Sequence, residues 1–343
     1  MELSRRQAFS AGIATLICRP ALARAGQITD HAGRSVPIPL TVGRVLPAGP
    51  PASILLYTAA PDLLLGWPRA LSPEERAFIL PDVAARPEVG RLTGRGNTAN
   101  LELILKLKPD LIVDVGSITD TYISLADRVQ NQTGLPYALL DGRLAQSGDA
   151  YRLCGRLVRR ESSLSKLADQ VETLLRAIKT RVGMVPEGSR PRVYYARGPK
   201  GLETGLGGSI NVESIEFMGA INVAGGQQGG LANISMEQIL AWDPEVIVAI
   251  DPSFARNALT DSTWRSLTAV RAGRVHLSPR LPFGWIDFPP SVNRLIGLWW
   301  LGKVLYPSHF PEDLHPIVRE FYQQFYHVTI TDEQMRQVME DRA

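Results

Sequence analysis

At 343 residues the chain is long enough for two domains of ordinary size, and its 45% apolar content excludes a disordered or low-complexity protein. Its formal charge of +3 resides wholly in the first 25 residues, where Arg5, Arg6, Arg19 and Arg24 stand against Glu2 alone. The rest is formally neutral and has no basic run interleaved with aromatics, which argues against a nucleic-acid partner.

Residues 1–25, MELSRRQAFSAGIATLICRPALARA, have a basic start, a short apolar run from Ala8 to Cys18, and small residues at Ala21, Ala23 and Ala25. That is the layout of an export signal, and the run is shorter than the roughly 20 residues a bilayer span needs. Ser4-Arg5-Arg6 resembles a twin-arginine signal, with Phe9 one place later than usual. Cleavage is expected after Ala23 or Ala25 and the mature protein in the periplasm; the alternative is an ordinary amphipathic first helix. Ile17 is too large for a lipid-anchor signal at Cys18. Without Cys18 only Cys154 is left, so no intrachain disulfide can form, and Cys154 in its apolar helical pattern reads as a buried small hydrophobe.

Residues 26–149 read as a first α/β lobe, which contains LELILKLKPDLIVDVG from Leu101 to Gly116. Leu101, Ile104, Leu105 and Lys108 keep the helical period, Asn100 is a plausible N-cap, Pro109 ends the helix, and LIVDV is a short apolar run suited to a buried parallel strand. Residues 150–185 are dominated by a pattern of Leu153, Leu157, Leu164, Leu167, Val171, Leu174, Ile178 and Val182, which predicts one long amphipathic helix, with Ser162-Ser163 as the place where it could break. Residues 186–343 read as a second α/β lobe with terminal helices. RVYYA, from Arg192 to Ala196, is its first strand. MEQILAWDPEVIVAID, from Met236 to Asp251, then repeats the earlier segment 135 residues on. Glu102 meets Glu237, Pro109 meets Pro244, and Ile112-Val113 meets Ile247-Val248. The expected fold is therefore two doubly wound, Rossmann-like lobes joined by one long helix.

Paired E-x-x-L-x-x-x-P-D/E-x-I-V segments flanking a single connecting helix, behind an export signal, resemble the class III periplasmic substrate-binding proteins of ABC importers. ITDHAGRSVPIP is similar to the first hairpin of that family, and the resemblance covers the whole mature chain. YYARGPKGLETGLGGSIN and PFGWIDFPPSVNRLIG resemble iron- or metal-chelate-binding members. The resemblance implies a cleft that captures a metal chelate, with ferric siderophore first and cobalamin, haem, a nickel chelate or a molybdate-type oxyanion as alternatives. It further implies a monomer with no cofactor of its own, the metal being carried by the ligand. Glu102 and Glu237 would dock arginines on the two permease subunits; the plainer reading is that each complements a helix dipole.

Ligands of doubly wound sheets bind beyond the carboxyl ends of the strands. The loops there offer Arg91 and Arg95 within GRLTGRGNTAN, Tyr195 and Arg197 at the end of RVYYA, and Arg280 and Trp285 within SPRLPFGWID; Tyr57 and Trp67 belong to the first lobe. Arginines bind oxyanions through paired N–H donors, and aromatic walls suit a bulky chelate. Each also has a plainer reading: Arg91 and Arg95 as solvated loop charges, and Trp285, Tyr57 and Trp67 as core. Trp299, Trp300, Tyr322, Phe325 and Tyr326 fall at helical spacing and read as core packing. The five histidines form no spaced pair for a bare metal ion. No enzyme motif is complete: GLGGSI has Ile210 where a dinucleotide loop needs its third glycine. The alternative of another class is a two-lobed metal-chelate enzyme of the chelatase or nitrogenase-like type, against which the export signal stands.

Overall fold

The computed structural model describes residues 24–94 and 100–339; most of the expected export signal, and Arg95, lie outside the described residues. Strands β1 (Arg24–Thr29) and β2 (Ser35–Pro39) form an antiparallel hairpin. Asp30 closes its turn by accepting the backbone N–H groups of Ala32 at 3.0 Å and Arg34 at 2.9 Å. Then come β3 (Val45–Pro47), α1 (Pro50–Ala59), the single turns α2 (Pro73–Arg76) and α3 (Pro81–Ala84), α4 (Leu101–Leu107), β4 (Leu111–Gly116), α5 (Asp120–Thr133) and β5 (Tyr137–Asp141). The three strands β3, β4 and β5 make a parallel sheet in that order.

The connection holds two helices where the sequence predicts one: α6 (Ser147–Val158) and α7 (Glu161–Gly183). The break lies ahead of Ser162-Ser163, at Arg159, whose φ of 58° is left-handed and ends α6. The helices then pack on one another. Gly155 permits this, because a Cβ there would lie 3.2 Å from that of Leu164. Only α7 is the long rod, about 34 Å at 1.5 Å per residue, and it buries Leu164, Ala168, Val171, Leu175, Ile178 and Val182.

The second lobe runs β6 (Arg192–Ala196), β7 (Glu203–Gly205), α8 (Glu213–Phe217), β8 (Ile221–Asn222), β9 (Leu231–Asn233), α9 (Met236–Trp242), β10 (Val246–Ala249), α10 (Pro252–Ala258), α11 (Thr268–Arg271) and β11 (Val275–Leu277). Its parallel sheet has the order β11-β10-β6-β8, and β7 and β9 pair as a separate antiparallel ribbon. The chain closes with α12 (Arg294–Leu305), α13 (Leu314–Phe321) and α14 (Asp332–Met339).

Both main sheets are apolar on both faces, as parallel sheets flanked by helices must be. Alternate residues of β4, β5, β6 and β10 divide between clusters: Val113, Leu140, Tyr195 and Val248 join one core running through both lobes, while Ile112 and Ile247 belong to the separate outer cores of their own lobes. The terminal helices, grouped by sequence with residues 186–343, reach back to the first lobe. Tyr57 Oη donates to the Tyr326 carbonyl at 2.5 Å, the Phe78 and Tyr322 rings lie 5.7 Å apart, and Gln334 donates to the Ala77 carbonyl at 2.7 Å.

The repeat is structural. Helices α4 and α9 are seven residues each, with Asn100 and Ser235 capping them through side-chain oxygens. They end on the left-handed residues Lys108 and Asp243, one residue before Pro109 and Pro244. The equivalence extends to the strand before each sheet partner. Arg44 donates to the Leu107 carbonyl at 2.7 Å, and Arg192 donates to the Trp242 carbonyl, the residue 135 positions on. Asp110 accepts the Arg44 backbone N–H at 2.9 Å, as Glu245 accepts that of Arg192 at 2.8 Å. In both lobes one arginine therefore satisfies the open carbonyls at a helix C-terminus.

Candidate functional site

The carboxyl ends of β4, β5 and β6 open into one cleft of about 470 Å³ lined from both lobes. Its floor is nearly bare backbone. Gly142, after β5, donates to the Gly116 carbonyl at 2.8 Å, and a Cβ at Gly142 would lie 2.9 Å from the Gly116 Cα. Any larger residue at position 142 would part the strands there.

The second-lobe wall is built around Arg197, the residue directly after β6. Its Nη1 meets the carboxylate of Asp287, and its Nε lies 3.0 Å from Glu203 on β7. Asp287 is 0% exposed and also accepts Tyr195 Oη at 2.5 Å and Asn211 Nδ2 at 2.9 Å. Burial pushes the Tyr195 hydroxyl up, so it stays a donor to Asp287. A carboxylate so enclosed is tolerable only with such partners, and the result is a guanidinium held at two of its nitrogens. Nη2 has no partner among the described residues.

The first-lobe wall contains a second buried carboxylate, Asp114 on β4. It accepts Thr93 Oγ1 at 2.9 Å and the Val115 N–H at 3.0 Å on one oxygen, and Tyr137 Oη at 3.0 Å on the other. Burial raises its carboxyl above the usual range, and these three hydrogen bonds oppose the rise. Thr93 in turn presses on the start of α1: a Cβ at Gly49 would stand 2.6 Å from its hydroxyl. Arg91 joins this wall and reaches a smaller, mainly apolar cavity of about 140 Å³ alongside, bounded by Ile54, Trp67 and Phe283.

The sequence-predicted residues divide accordingly. Arg197 and Arg91 line the cleft, and Tyr195 stands behind it, fully buried, acting through Asp287. Trp67 is nearly buried, donates Nε1 to the Val83 carbonyl at 2.9 Å and borders the side cavity. Three expectations are corrected. Trp285 is 0% exposed and packs against α12, where Gly297 leaves room only for its backbone. Tyr57 is fully buried, accepting the Leu80 N–H at 3.0 Å while donating to Tyr326. Arg280 is exposed and borders two other cavities, outside the cleft. Trp285 and Tyr57 are core because both lie in segments buried on every side. Glu102 and Glu237 are exposed in the first turns of α4 and α9.

Sequence reasoning missed Asp114, Asn211, Asp287 and Phe288. Only Asp114 carried a usable signal, being the single carboxylate inside the apolar run LIVDV; the others sit in loops where nothing local distinguishes them.

Two α/β lobes, a helical rod between them and a cleft at the strand ends are the architecture of a class III periplasmic binding protein. Residues 84–280 match the family model described as periplasmic binding protein, and the chain belongs to that family. It is 26% identical over 326 residues to the molybdate-binding protein MolA of Haemophilus influenzae, an alignment spanning 87% of this chain and 90% of that one. Among solved structures, an ABC transporter solute-binding protein from Sulfurospirillum deleyianum matches with a TM-score of 0.83 and 28% identity, covering 92% of this chain and 99% of that one. The molybdate-bound structure of Haemophilus influenzae MolA matches in fold with a TM-score of 0.73 and 24% identity, covering 89% and 99%. The family and these relatives are solute-binding proteins, in place of the chelatase-like alternative.

Proposed function

We propose that this chain is the exported solute-binding component of an ABC importer, and that its cleft captures a compact oxyanion of the molybdate type. The observation that carries this reading is the meeting of Arg91 and Arg197, from opposite lobes, on one cleft of about 470 Å³. Among the described residues no group of three or more His, Cys, Asp or Glu could hold a bare cation. Guanidinium groups with hydroxyl and amide donors such as Ser117 and Asn211 suit the oxygens of an anion. The similarity to a protein named for molybdate binding, spanning 87% of this chain, supports the same ligand class. The volume lies in the lower half of the usual range of about 300–1,000 Å³ for small-molecule sites, which disfavours cobalamin. A compact ferric chelate, the leading expectation from sequence, is the second reading; the apolar cavity beside Trp67 favours it. Delivery is assigned to Glu102 and Glu237, exposed at equivalent places on two like helices, as a two-fold permease would require.

Calorimetric titration of the mature protein with molybdate, tungstate, nickel–histidine and ferric catecholate tests the ligand. Saturable micromolar binding of the two oxyanions is expected. Binding of ferric catecholate alone would put the second reading in place of the first, and silence toward all four would overturn both. In cells, Glu102→Arg with Glu237→Arg is expected to leave affinity intact and abolish uptake; a loss of affinity would remove those residues from docking.

A further inference from the structure

We infer that Phe288 is a specificity-determining residue of the cleft: a fixed aromatic partition that confines the anion to the polar chamber and bars ligands carrying rings. The inference rests on the ligand class proposed above. Phe288 is 68% exposed, whereas Phe283, Trp285, Ile286 and Asp287 just before it are all buried. The φ of 69° at Phe288 places a bulky residue in the left-handed region, a conformation that persists only where the surroundings impose it and that gathers at ligand sites.

The imposing groups are visible. Asp287 is fixed by Arg197, Tyr195 and Asn211. Gly284 lies so close to the Asp287 carbonyl that no Cβ would fit. The Asn293 side chain donates to the Phe283 carbonyl at 2.8 Å, and the Trp285 backbone N–H donates to the Pro279 carbonyl at 3.0 Å. The ring of Phe288 is therefore carried on an anchored segment. It lies 5.9 Å from the Arg197 guanidinium carbon, within cation–π range, so it also helps to orient the anion-binding group. Above all it borders the polar cleft, the apolar side cavity and a third cavity near Arg280. Phe288 is one of four residues, with Pro50, Arg91 and Pro289, that border both the 470 Å³ chamber and the 140 Å³ apolar one, and loss of its ring is expected to widen the way between them.

The test holds charge constant and changes size. Molybdate and its bis-catecholate complex are both dianions, but the second carries two aromatic rings. Wild type is expected to favour molybdate. Phe288→Ala and Phe288→Gly are expected to shift the ratio of affinities toward the catecholate complex at least tenfold, while Phe288→Trp keeps or sharpens the preference for molybdate. Phe288→Gly, which adopts a positive φ without strain, is expected to melt no lower than Phe288→Ala and so separates the role of the ring from folding. A ratio unchanged within twofold in the folded Ala and Gly variants would overturn the partition while leaving the anion site standing. A wild type that binds neither probe would overturn both the anion reading and the partition. Loss of both ligands by one common factor would reduce Phe288 to a structural residue.

Discussion

Arg197 and Asp287 form a buried charge pair that, on the proposed anion-binding reading, serves recognition more than stability. Assembling such a pair gives little net stabilisation, because desolvation offsets the attraction, but removing one partner strands the other. Arg197→Ala should leave Asp287 with only Tyr195 and Asn211, at a cost of about 3 kcal/mol in unfolding free energy. Asp287→Ala should cost a similar amount, and the double variant clearly less than the sum, as expected for residues that interact directly. Urea denaturation of the three variants measures this, and strict additivity would mean that the pair is not coupled. Ligand affinity should fall at least tenfold in both single variants. In Asp287→Ala it falls although no anion contact is deleted, because the guanidinium loses one of the two carboxylates that fix its plane and keeps only Glu203.

At the scale of the element, the repeated helix–strand unit is one device used twice. A seven-residue helix is too short to be stable alone. Each is therefore closed at both ends, by Asn100 or Ser235 at the start and by Arg44 or Arg192 at the carbonyl end. Those arginines also place a positive charge at the negative end of the helix dipole. Arg44→Ala and Arg192→Ala should each lower stability by about 1 kcal/mol. Since they lie in different lobes, their effects should add within about 0.5 kcal/mol in thermal or chemical unfolding. A strongly sub-additive double variant would show that the caps do not act independently. These caps were legible in retrospect: Arg44-Val45 and Arg192-Val193 open corresponding strands, yet the expected repeat began only at the helix, because the arginine reaches its target across 63 and 50 residues of chain.

For the whole molecule, the cleft depends on how the lobes are held. Besides α7, a buried joint crosses at its base. Arg294, at the start of α12, meets Glu213 of α8 at 2.8 Å and donates to the Gly142 carbonyl of the first lobe. The same Glu213 oxygen accepts the Leu144 N–H at 2.7 Å. Arg294→Met preserves bulk and removes every one of the guanidinium bonds. It should lower stability by about 3 kcal/mol, raise the radius of gyration measured by X-ray scattering, and weaken ligand binding. An unchanged radius together with unchanged affinity would leave lobe spacing to α7 and to the contacts of the terminal helices with the first lobe. By itself the sequence determined the two α/β lobes, the helical connection and the position of Arg197, because periodicity, proline breaks and the end of a buried strand are local properties. Only the tertiary structure decided that the connection is two helices, that the terminal helices close over the first lobe, and that Trp285 and Tyr57 are core while Phe288 faces the cleft. An aromatic side chain gains from burial against any apolar partner, so its sequence context is alike in a core and in a binding wall. Which of the two it occupies is set by segments far away in the chain, here α12 for Trp285 and the Asp287 hydrogen bonds for Phe288.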